Sequence, residues 1–328
     1  PQTGNNSIVI IEGPYNCMRT LGENPKNVNM ITNCIRGVVS NAFLGQAVAA
    51  SQLTLSGTYS ATFTSSTYGG KANRINTAHR GVILQAEDSF VEWEFNADNI
   101  VIGFFGTDGI VNDYGKFEVL IDDYSMGIYN SNDYATGVTL GGYNHQFVAG
   151  SLVFSHLSGT SHTVKIVSLD SRPVVIDFLG TMKDPALCKP VVLSHCIKMT
   201  AAGYVATSAN QGSDEAVDTI NMNLNTLFHE FCNHPFTIAQ SKTYDPETTA
   251  STDDVHPPNE GHAQIANDIK DKITLGPPHN DEAWDSIGMS GATIVDAGIV
   301  TTTATNNGYG NLALGDKYLP DGQDGAIK

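Results

Sequence analysis

The stretch Asp253-Asp254-Val255-His256-Pro257-Pro258-Asn259-Glu260-Gly261-His262 decides how this chain is read. It follows a run rich in Thr, Ser and Asp. Just after it, Ile265, Ile269 and Ile273 recur at one-turn spacing, the mark of an amphipathic helix. A carboxylate three residues before a histidine, at a loop-to-helix junction, can turn both side chains into one cleft. There Asp253 would hold the imidazole of His256 in one tautomer and stabilise its protonated form. The same residue types also suit a plain helix start, where Asp and Asn cap and Pro is at home.

Working outward, residues 7–12 (Ser-Ile-Val-Ile-Ile-Glu) are a short apolar run rich in β-branched residues, which reads as a buried strand of a parallel sheet. It ends at Gly13-Pro14-Tyr15-Asn16-Cys17, a turn where open α/β sheets place their ligands. A helix is expected from about Lys26 to Phe43, with Val28, Ile31, Ile35, Val38, Val39 and Ala42 on one face. Between about 50 and 181 the texture changes to short alternating segments separated by Gly, Asn and Asp turns, such as Phe90–Phe95, Ile100–Phe105 and His162–Val167. That spacing predicts an antiparallel β-sandwich. The α/β texture then returns with a strand over Pro190–Ser194, a helix from about Asp214 to Cys232 and a strand over Phe236–Ala239. The expected layout is therefore residues 1–49 and 182–275 as two parts of one α/β domain, residues 50–181 as an inserted sandwich and candidate carbohydrate-binding module, and residues 276–328 as a linker or docking arm. Insertion is feasible because both boundaries fall in polar loops.

The segment from Asp253 to His262 resembles the last block of the SGNH (GDSL-like) hydrolases, which reads DxxHP followed by GH at the start of the final helix. Gly13-Pro14-Tyr15-Asn16 resembles that family's Gly-x-Asn-Asp block, with one extra residue after the glycine and Cys17 where the family has Asp. The resemblance implies a three-layer α/β/α domain with a parallel sheet, interrupted here by the sandwich. It implies an esterase that removes acyl groups, O-acetyl above all, from a polysaccharide, without cofactor or metal. His256 would act as general base, Asp253 would orient it, and Asn16 would donate to the oxyanion. The nucleophile is missing. No Gly-Asp-Ser precedes Asn16, Ser7 lies before its strand, and no apolar strand leads into Asp285-Ser286. The serine would lie on a preceding segment or on a companion chain. A sandwich in an acidic, Ser/Thr/Asn/Gly-rich chain also resembles bacteriophage tailspike and receptor-binding esterases. That implies a virion surface protein acting on host glycans, or else a secreted one. Its partners would be acylated polysaccharide and either copies of itself or other virion proteins. The alternatives are a catalytically inactive glycan-binding adhesin and a structural virion protein.

Charge narrows the partners. The 328 residues carry 34 acidic against 17 basic side chains, a formal net charge of −17. Long-range repulsion opposes nucleic acid and anionic membrane surfaces, and a neutral polysaccharide or a protein fits better. No run approaches the roughly 18 apolar residues of a membrane span. The opening Pro1-Gln2-Thr3-Gly4 shows neither a Met nor an apolar targeting core and reads as the middle of something longer. Cys17, Cys34, Cys188, Cys196 and Cys232 lack metal-site spacing and read as buried thiols, with a Cys188–Cys196 disulfide left open. Asp108, Asp113, Asp122 and Asp123 read as solvated turn residues in preference to a calcium site. Scattered Tyr, Trp and Asn over 50–181 suit either a sugar platform or ordinary core and cross-strand pairs.

Overall fold

The computed structural model describes residues 8–14, 24–60, 81–107, 113–135, 139–140, 143–144, 147–205, 212–249, 253–274, 292–295 and 299–302. The first strands are β1 (Val9–Ile11), β2 (Leu44–Ala49), β3 (Thr54–Ser56), β4 (Tyr59–Ser60), β5 (Val82–Leu84) and β6 (Phe90–Phe95). Next come β7 (Ile100–Thr107), β8 (Lys116–Ile121), β9 (Tyr124–Asn130), β10 (Thr139–Leu140), β11 (Tyr143–Asn144) and β12 (Phe147–Phe154). The last are β13 (His162–Ser168), β14 (Val174–Met182), β15 (Val191–Ser194), β16 (Phe236–Ala239), β17 (Ala292–Val295) and β18 (Ile299–Thr302). The α-helices are α1 (Pro25–Phe43), α2 (Ala201–Tyr204), α3 (Asp214–Phe231) and α4 (Asn259–Thr274). None of these helices is long and apolar enough to cross a membrane.

Two antiparallel sheets dominate, as the alternating segments predict. One runs β12-β7-β14-β5-β4 with β2 also on β14, and the other runs β3-β6-β13-β8-β9. In β13, residues at every second position are buried, so Val164 and Ile166 enter the core between the sheets. β7 is buried along its whole length because both its faces are covered. Ile100, Ile102 and Phe104 point between the sheets, while Val101 joins the core beneath the helices. The β8–β9 hairpin turns through Asp122 and Asp123, at φ 51° and 65°. Two consecutive left-handed residues give the turn twist that paired strands favour.

One irregularity interrupts β14. Ile176 pairs with Phe104 and Phe178 with Gly103, so two steps on β14 match one on β7. Asp177 is the extra residue of a β-bulge. Before it, Val174 and Ile176 face the sandwich core; after it the parity flips, Leu179 faces that core and Phe178 faces the helices. Burial without a compensating charge pushes the Asp177 carboxyl up to about 7.

The helical part rests on the outer face of the six-stranded sheet. α1 begins where Asn24 Oδ1 accepts from Lys26 N, with Pro25 in the first turn. It lies on β12 and against α3, so close that a Cβ at Gly150 would stand 3.0 Å from Asn33 Cβ. α3 starts at Ser213, whose hydroxyl accepts from Ala216 N, with Asp214 and Glu215 in its first turn. β1, β15 and β16 pair in parallel beside these helices.

The fold class expected from the sequence needs correction. The chain is mostly antiparallel β, and among the described residues its parallel part is three strands of 3, 4 and 4 residues. These do not make the three-layer α/β/α domain with a parallel sheet. The strand Val9–Ile11, within the run that reads as a buried strand, is an edge among the described residues, with Ile8 37% and Ile10 53% exposed.

Candidate functional site

The sequence-predicted pair is brought together in the loop before α4. Asp253 Oδ1 accepts from His256 N at 2.8 Å and Val255 N at 3.1 Å, and Oδ2 lies 2.6 Å from His256 Nδ1. Asp254, at φ 62°, turns the chain, and its carbonyl accepts from Thr200 Oγ1 at 3.1 Å. Buried Val255 anchors the loop in the helical core. The pair itself is open to water, with side chains 69% and 50% exposed. An exposed carboxylate–imidazole contact of this kind contributes at most about 1 kcal/mol. The backbone bonds of Asp253 are those of a capping turn, and they account for its place without invoking chemistry. Asn16 and Cys17 lie outside the described residues, as do Ser7, Asp285 and Ser286. Ser194, the serine nearest to Gly13 in the chain's hydrogen bonding, is buried and accepts from Gly13 N at 3.1 Å.

The cysteines and turn carboxylates resolve simply. Cys34, Cys188, Cys196 and Cys232 are all thiols, so no Cys188–Cys196 bond exists. Asp113 holds Arg172 and Asn132, and Asp122 holds His162 Nδ1 at 2.6 Å and Thr163 N at 2.8 Å. Those hydrogen bonds, His162 first, draw the Asp122 carboxyl below its ordinary range. Asp108 lies outside the described residues, and among those described no cluster of three or more His, Cys, Asp or Glu could hold a metal.

Among the described residues there is a concavity that sequence reasoning missed. A cleft of about 260 Å³ opens between the helices and the sandwich. From α1 it takes Asn29, Thr32, Asn33 and Arg36, and from α3 it takes Asn223, Thr226 and Glu230. Tyr129 of β9 and Tyr134 come from the sandwich, with Leu152–Phe154 of β12. Arg36 spans the gap between the helices. Its Nε and Nη2 donate to Glu230 at 2.5 and 2.8 Å, and Nη1 donates to Asn33 Oδ1 and to Ser151 O. The two-pronged geometry fixes both side chains, which are only 14% and 20% exposed. The tyrosines are braced from below. Tyr129 stacks on Phe117 at 5.5 Å, and Tyr134 meets Phe104 edge-on at 5.0 Å. Burial, then the neighbouring Tyr129, pushes the Tyr134 hydroxyl up to about 12, so it remains a donor at neutral pH. Thr32 Oγ1 and Asn33 Nδ2 are buried without a hydrogen-bond partner. Leaving such a group unpaired costs about 1–3 kcal/mol.

Chemically this is an amphipathic cleft. Two rigid aromatic rings stand beside amide, hydroxyl, guanidinium and carboxylate groups whose charges cancel. The one hint in the sequence was the Tyr- and Asn-rich texture of 50–181. Nothing local marked Arg36 or Glu230, which sit 194 positions apart.

No family model matches this chain, and no curated protein matches it. Solved structures do show similarity. One is the first family 36 carbohydrate-binding module of a multidomain xylanase from the hindgut metagenome of Trinervitermes trinervoides. It has 15% identity over 41% of this chain and 94% of that one, with a TM-score of 0.27. A family 35 carbohydrate-binding module from Clostridium thermocellum has 12% identity over 41% and 95%, with a TM-score of 0.29. A family 36 module solved with calcium and xylotriose has 20% identity over 41% and 98%, with a TM-score of 0.26. Membership of the SGNH hydrolases, expected from the Asp253–His262 and Gly13–Asn16 motifs, is corrected by the fold. Among the described residues two antiparallel sheets dominate, and three short parallel strands do not make the α/β/α layers that membership requires. The reading as a hydrolase, carbohydrate esterase or deacetylase goes with it.

Proposed function

We propose that this chain binds a neutral glycan, and that the cleft between α1, α3 and the sandwich is where it does so. The observation that supports this reading is the pairing of Tyr129 and Tyr134 with the locked Arg36–Glu230 pair in one concavity. Sugars have apolar ring faces and a belt of hydroxyls. An aromatic ring covers the first, and the guanidinium N–H left over, the carboxylate's spare lone pairs and the cleft's amides and hydroxyls satisfy the second. Because the side chains are held before binding, little conformational freedom is lost when a sugar enters. The net charge of −17 favours a neutral ligand over an acidic one. The modules the chain resembles bind carbohydrate, one of them solved with xylotriose, which is the same ligand class. An adhesin of this kind would work on a virion surface or in the extracellular space.

The test is an array of neutral glycans probed with the chain and with Tyr129→Ala, each checked for folding by circular dichroism. Saturable binding that falls about tenfold in the variant is expected, since a stacked aromatic contributes roughly 0.5–1.5 kcal/mol beyond its buried area. A folded wild type that binds nothing on the array refutes the proposal.

A further inference from the structure

The cleft has a neighbour. A second hollow of about 150 Å³ lies between the end of β12, the end of α3 and the segment after β14. Glu230 lines both hollows. The two walls also continue from one to the other in the same order. On the sandwich side Leu152–Phe154 line the first and Ser155 and His156 the second. On the helical side Asn223 and Thr226 line the first, Asn233 and His234 the second.

The far wall is tied down. His156 holds a left-handed backbone, φ 61°, which is uncommon for a residue with a side chain. Its Nδ1 lies 3.2 Å from Asn233 Nδ2, and its Nε2 lies 3.3 Å from His229 O and 3.2 Å from Cys232 Sγ. The strand end and the helix end are thereby stapled at that point. Small-ligand sites span roughly 300–1,000 Å³. Neither hollow reaches that range alone; the two together do.

From this we infer that the two hollows form one groove with at least two sugar subsites, so that the chain recognises an oligosaccharide and not a single sugar. The inference rests on the glycan reading above. Glu230, between the subsites, accepts from hydroxyls of both residues, and Asn233, held in place by His156, supplies polar contacts to the second. Asn233 and His156 are exposed but also form the staple, so each variant is checked for folding by circular dichroism before its affinity is read.

Calorimetry on xylose, xylobiose and xylotriose, and on glucose, cellobiose and cellotriose, tests it together with the array. In whichever series binds, affinity should rise at least tenfold from one sugar to two. Asn233→Ala and His156→Asn should each remove most of that gain. Equal affinity for mono- and disaccharide, or a gain untouched by both variants, overturns the two-subsite groove while leaving the first cleft standing. Absence of binding to every sugar overturns the glycan reading and this inference with it.

Discussion

Replacing Arg36 with Met keeps an unbranched apolar stem and removes the guanidinium with its charge. In the native protein the guanidinium satisfies both Glu230 oxygens and Asn33 Oδ1. The variant leaves Glu230 mostly buried and without its cation. Breaking a fully buried pair costs about 3–5 kcal/mol, and an exposed one costs 0–1 kcal/mol. With the two side chains 14% and 20% exposed, the pair sits nearer the first limit, and we expect about 2–3 kcal/mol. Urea unfolding followed by tryptophan fluorescence should show the midpoint falling by about 1 M, taking a slope of about 2–3 kcal/mol/M. The double variant Arg36→Met/Glu230→Met should recover a large part of the loss, because it removes the stranded carboxylate as well. A single-variant loss below about 0.5 kcal/mol, or a double variant equal to the sum of the singles, refutes the picture of a locked ion pair in the cleft.

Asp177 makes stability depend on pH. Its carboxyl stands near 7 when folded and near the ordinary 3.8 when unfolded. The folded state therefore holds the proton more tightly. Its contribution is fully present below about pH 4, is lost as pH rises toward 7, and is flat beyond; the upper bound is roughly 4 kcal/mol. Asp177→Asn should flatten that slope, and identical pH–stability profiles for the variant and wild type would contradict the assignment. Asp253→Ala should cost about 1 kcal/mol by removing the acceptor of two backbone N–H groups, with faster hydrogen exchange at the Val255 and His256 amides. His256→Ala should change stability by less than about 0.5 kcal/mol. Two glycines should respond oppositely to Ala. At Gly13 a Cβ would stand 2.6 Å from Cys196 N and His195 C, so Gly13→Ala should lower the melting temperature, by about 1–3 kcal/mol in stability. At Gly37, inside α1, the nearest atom is Ser151 Oγ at 3.6 Å, and Gly37→Ala should raise stability by about 0.5–1 kcal/mol.

The sequence revealed elements better than it revealed their assembly. The stripe Val28, Ile31, Ile35 and Val39 located α1, and those residues are indeed buried. Val38, placed on the same face, is 51% exposed, while polar Asn27, Thr32, Asn33 and Ser40 are buried. The stripe is displaced because α1 is covered twice, by α3 and by β12, and a single-face pattern cannot signal a second cover. Asp253 and His256 were legible because a local turn brings them together at a spacing of three. The cleft was not, since its side chains come from four separated segments and meet only through packing of helices on the sandwich. The continuous apolar run in β7 was readable as a strand. That one of its faces belongs to a helical core depended on which element arrived there, and that is a long-range fact.

The central claim is tested most directly by titrating neutral oligosaccharides from the array into the wild type and into Glu230→Gln, with binding followed by calorimetry. The carboxylate is at once the partner of Arg36 and a wall of both hollows. Saturable wild-type binding that weakens at least tenfold in the folded variant is the predicted result. Binding that Glu230→Gln leaves unchanged would place the glycan elsewhere on the molecule and contradict the account.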